Sequence, residues 1–124
     1  MMLKTIGLVA ALMLASAVPA LADSACAEPI APAALDGNTA TTAQMSAAHD
    51  DVMTFLKQSD DFQVCVLREF HEAQAAALKD KKELDPAIGP AADSKIKANQ
   101  ALKEKVGAEY NAAVIAYKAK HPGG

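Results

Sequence analysis

The stretch Thr41–Leu84, TTAQMSAAHDDVMTFLKQSDDFQVCVLREFHEAQAAALKDKKEL, decides the fold. Thr41 and Gln44 fit a capping box, in which each side chain satisfies a free backbone N–H at a helix start. Apolar residues then recur at steps of mostly three and four: Met45, Ala48, Val52, Phe55, Leu56, Phe62, Val66, Phe70, Ala73 and Ala77. This is the seam of an amphipathic helix packed on another helix. Asp50, Asp51, Lys57, Asp60, Asp61, Arg68, Glu72 and Lys79 occupy the opposite face. With neither Gly nor Pro inside, the run predicts one helix over about 41–84, roughly 65 Å long at 1.5 Å per residue. Ser59-Asp60-Asp61 could instead start a new helix, giving a three-helix bundle split near Ser59. The apolar phase passes through Ser59 unshifted, so we read a solvated polar patch on a continuous helix.

Asp85-Pro86 and Gly89-Pro90 punctuate the chain, and a turn is placed there. A second helix is expected over about 91–120, starting near Pro90 or Asp93. Its apolar face is Ile96, Leu102, Val106, Tyr110, Ala113, Val114 and Tyr117. Asn99 belongs either in this seam, where a buried polar group fixes register, or on the exposed side. Gly107 lies mid-helix, where Gly costs about 1 kcal/mol relative to Ala. Either another segment approaches it closely or the cost is simply tolerated.

Upstream, residues 1–22 read as a secretory signal peptide: Lys4, an apolar run from Ile6 to Val18, and the cleavage pattern Ala20-Leu21-Ala22. The exported chain would begin at Asp23 and keep no membrane span. A lipobox is disfavoured, because Asp23 stands three positions before Cys26. An exported chain with two cysteines is expected to pair them, Cys26 with Cys65. Residues 23–40 contain two Pro and the turn signal Asp36-Gly37-Asn38, and should be extended. From Thr41 an extended strap reaches back roughly 46 Å to Cys26 at about 3.1 Å per residue. The helix rises roughly 36 Å from Thr41 to Cys65. The strap can therefore turn near Gly37, run antiparallel to the helix and meet Cys65, with Ile30 and Leu35 covering apolar surface. The fold class is all-α: a long antiparallel helical hairpin (41–124) with an extended N-terminal strap tied by one disulfide.

Removal of Lys4 leaves 11 basic and 15 acidic residues, net −4. That argues against nucleic acid as a partner. Charge divides unevenly: residues 23–72 carry −7 and residues 73–124 carry +3. The acidic half could face the basic half of its own hairpin or a basic partner protein. Met45, His49 and Met53 lie at i, i+4 and i+8, a soft donor set suited to Cu(I); core packing of the methionines and solvation of His49 explain them as well. His71-Glu72 resembles the start of a zinc-protease motif, but position 75 is Ala where the second His is required. His71 with Glu69 or Glu72 has no third group to complete an acid–base site. Asp50-Asp51 and Asp60-Asp61 read as solvated acids, and Lys79, Lys81 and Lys82 as cations at a helix C-terminus. No heme-attachment, phosphate-loop or nucleophile-elbow pattern is present. No cofactor and no enzymatic activity are expected.

The run Ala98-Asn99-Gln100-Ala101-Leu102-Lys103-Glu104-Lys105-Val106-Gly107-Ala108-Glu109-Tyr110-Asn111-Ala112-Ala113-Val114, with Tyr117, His121-Pro122, Cys26 and Cys65, resembles small exported helical proteins of alphaproteobacteria that carry no assigned function. The resemblance implies export and a helical fold but supplies no active site. Exported chaperones of the Spy/CpxP type share size and all-α character. Their Leu-Thr-x-x-Gln motif corresponds here to Ala40-Thr41-Thr42-Ala43-Gln44, where the Leu is missing. The expected function is that of a non-enzymatic envelope protein, periplasmic or secreted, acting through a protein partner or self-association. A periplasmic copper binder and a Spy/CpxP-like chaperone are the alternatives.

Overall fold

The computed structural model describes residues 25–123. The expected signal peptide, residues 1–22, lies outside them. Two helices, α1 (Thr42–Lys79) and α2 (Ile88–Lys120), pack antiparallel as a hairpin, preceded by an extended strap over 25–40. Among the described residues there is no strand.

The capping box forms as read. Thr41 Oγ1 accepts the Gln44 N–H at 3.1 Å, and Gln44 Oε1 accepts the Thr41 N–H at 2.9 Å. α1 is continuous through Ser59, so the three-helix alternative is not the fold. The helix ends at Lys79, five residues before the expected Leu84. Lys81 adopts the left-handed region (φ 54°), while the Lys82 N–H bonds the Ala77 carbonyl and the Lys81 N–H bonds the Leu78 carbonyl. These two bonds make a Schellman stop, built here on Lys where Gly is the usual residue. α2 begins at Ile88, three residues before the expected 91. Asp85 starts it by accepting the Ile88 N–H on its carbonyl and the Ala87 N–H on its side chain. Pro90 fits in the first turn because no intrahelical donor is required there.

The seam is a series of layers down the hairpin. Met45 packs with Ala40 and Ala113 at the open end. Val52 and Phe55 meet Val106, with Ala31, Leu102 and Tyr110 at the margin. Phe62 and Val66 lie against Cys26, Ala92 and Ile96. Beyond Val66 on α1 and before Asn99 on α2 no residue is fully buried, so the turn end of the hairpin is thin.

The middle layer is polar. Ser59 and Asn99 are both fully buried. The Ser59 reading is thereby corrected: the apolar phase carries it into the seam, while Asp60 and Asp61 remain outside. Asn99 Nδ2 donates to Ser59 Oγ at 3.2 Å, and Gln63 Nε2 donates to Asn99 Oδ1 at 2.8 Å. No buried side-chain N or O lacks a partner among the described residues. An Asn–Ser pair satisfied only in this alignment penalises any slip of α2 along α1. Asn99→Ala is expected to cost about 2–3 kcal/mol in urea unfolding, since it orphans Ser59 and opens a cavity. Asn111→Ala on the exposed face of α2 should stay within about 0.5 kcal/mol.

A Cβ built on Gly107 meets nothing within 4 Å. Close approach is excluded, and the glycine is tolerated. Gly107→Ala should therefore raise stability by about 1 kcal/mol, read as a higher urea midpoint with an unchanged slope.

Candidate functional site

The strap fixes which faces of the hairpin remain open. Its turn is held by Asp36, whose carbonyl accepts the Thr39 and Ala40 N–H groups and whose Oδ1 accepts the Asn38 N–H at 2.9 Å. Gly37 is buried against the Ala113 backbone of α2. From there the chain returns along α1 to Cys26, which is bonded to Cys65 with 5.6 Å between the Cα atoms, an ordinary spacing for a disulfide. The Ala25 N–H donates to Glu69 Oε1 at 2.8 Å, one turn beyond. Leu35, Ala48, Val52, Val106 and Tyr110 border an open groove of about 290 Å³ under the strap.

The soft donor set is spread across different environments. Met45 is buried in the seam, while Met53 is more than half exposed. His49 is exposed, lies 3.4 Å from Asp50 Oδ1 and tilts toward the Tyr110 ring. His71 and Glu72 are exposed, with the His71 ring tilted on Phe70. Glu69 is engaged with the strap. Cys26, Cys65 and Glu69 bring three donor atoms within 4.8 Å of one another. Both sulfurs belong to the disulfide, which leaves one carboxylate, too few donors for an ion. Lys97 is held above its ordinary lysine value by its hydrogen bond to Asp93 and then by that carboxylate's charge. The pair is an exposed i, i+4 bridge, which supports a helix turn rather than chemistry.

Charge crosses the hairpin at Asp60, which pairs with Lys103 of α2. Asp61 instead pairs with Lys57 along α1 at 3.2 Å. Thr42 and Tyr117 share a hydrogen bond that joins the open end.

No protein-family model, curated protein or solved structure matches the chain. What remains is the outer face of α1. Met53, Val64, Leu67 and Leu78 are 54%, 62%, 44% and 79% exposed. They follow one another at intervals of 11, 3 and 11 residues. At 100° per residue, these intervals place all four within an arc of about 60°. The arc faces neither α2 nor the strap. In the sequence Met53 stands out only as a candidate soft donor, and Val64, Leu67 and Leu78 fall outside the stronger apolar stripe of the seam; the signal that marks all four is a second recurrence at 11 residues.

Proposed function

We propose that the chain is an exported, non-enzymatic helical protein of the cell envelope that acts by protein–protein contact through the outer face of α1. The single observation that carries this reading is the gathering of Met53, Val64, Leu67 and Leu78 on one uncovered side of a long, braced helix. Apolar side chains scattered on a surface need no explanation, whereas several aligned on one face mark a contact surface. The Cys26–Cys65 bond supports an oxidising compartment, periplasmic or extracellular. No helix among the described residues is long and apolar enough to cross a membrane.

Site-specific photocrosslinking in the native host tests the proposal. A photoreactive residue at Leu67 should give discrete protein adducts, and the same residue at Asn111, on the exposed side of α2, should not. Absence of adducts at Leu67, or an equal pattern at both positions, would overturn it.

A further inference from the structure

The outer face of α1 is self-complementary, and we infer that its occupant is a second copy of this chain, bound antiparallel about a two-fold axis between Cys65 and Val66. This inference rests on the proposed function above and names the partner.

Positions 53, 57, 60, 64, 67, 71, 74 and 78 advance in alternating steps of four and three, the spacing of a coiled-coil seam. In an antiparallel pair each residue of one seam type faces one of the other type. About the 65/66 midpoint, residue i of one copy then faces residue 131 − i of the other. Met53 falls opposite Leu78, and Val64 opposite Leu67. All four exposed large apolar residues of α1 find an apolar partner at once.

The polar positions agree with the same axis. Asp60 faces His71, and Lys57 faces Gln74. Lys103 takes Asp60 Oδ1 from within the chain, which leaves the second carboxylate oxygen for His71 of the other copy. On the flank away from α2, Asp61 and Arg68 of one copy come beside Arg68 and Asp61 of the other, giving two reciprocal opposite-charge pairs. Parallel pairing in register would instead set Asp60 against Asp60 and Lys57 against Lys57. An isologous two-fold interface requires this kind of self-complementary patch. Half of the facing layers are polar or charged, so the dimer is a weak, reversible one.

The test is sedimentation equilibrium of the disulfide-intact chain from low micromolar to near-millimolar concentration, with circular dichroism to establish that each variant is folded. The unsubstituted chain should show a reversible monomer–dimer equilibrium. Val64→Glu/Leu67→Glu should leave it monomeric throughout, while Ile115→Glu, on the exposed side of α2, should leave the equilibrium unchanged. Arg68→Asp should weaken association about tenfold by placing like charges on the flank, and Asp61→Arg/Arg68→Asp should restore it. A chain that stays monomeric at the highest concentration would overturn the inference, as would a dimer indifferent to the Val64/Leu67 change or a charge swap that restores nothing. A monomeric chain that still gives adducts to a different protein at Leu67 overturns this inference alone and leaves the proposed function standing.

Discussion

Cys26→Ala/Cys65→Ala is expected to lower the free energy of unfolding by about 4 kcal/mol, the loop-closure entropy of a cross-link spanning about 40 residues. Small domains have only about 5–15 kcal/mol in total. The loss is severe here because the apolar core is small: Cys26, Ala40, Met45, Val52, Phe55, Phe62, Val66, Val106 and Ala113 are its buried members. One of them is itself a half of the cross-link. Its removal uncovers Phe62 and Val66, the layer nearest the thin turn end. Urea unfolding of the oxidised chain and of the double variant, both followed by helix signal, measures the difference. Reduction of the unsubstituted chain should reproduce it.

Gly37→Ala is expected to cost about 3 kcal/mol, at the upper end of ordinary overpacking. A Cβ at this position would stand 1.9 Å from the Ala113 carbonyl oxygen and 2.7 Å from its carbon. Both atoms are backbone of α2, and neither can move aside without breaking helix geometry. The cause is contact rather than conformation. The non-glycine left-handed residue among the described residues is Lys81, and Gly123 is the glycine with positive φ, so Gly37 holds a φ that alanine could adopt. The expected consequence is specific: Ala113→Gly, which removes a side chain, should not rescue Gly37→Ala. Urea midpoints of the two single variants and the double variant check this. The strap would then lift at its turn while the disulfide held its other end.

The fold was legible in the sequence where its determinants were local or periodic. The capping box at Thr41 and Gln44, the seam of α1, and the reach of an extended strap from Thr41 to Cys65 all follow from spacing. The stop at Lys79 did not show because Lys81 takes the left-handed conformation usually given to Gly, and the residues after Lys79 are good helix formers. Ser59 looked solvated because Asp60 and Asp61 follow it. Its burial depends on Asn99, forty positions away, and on Gln63 completing the chain of donors. Gly37 read correctly as a turn, but its contact with Ala113 is a product of tertiary packing and has no local signature. The outer stripe of α1 was illegible for a related reason: Met53 read only as a candidate soft donor, and Val64, Leu67 and Leu78 lie outside the seam, so no expectation about the hairpin required them.

The architecture depends most on the strap lying along the hairpin over its whole length. Proton–proton contacts in the disulfide-intact chain measure this directly. The expected set joins Gly37 Hα to Ala113 at one end, the Ala31 methyl to the Phe55 ring in the middle, and the Ala25 amide to the Glu69 side chain at the other. Residues 27–37 with random-coil shifts and no contacts to either helix would contradict it, even with Cys26 and Cys65 bonded.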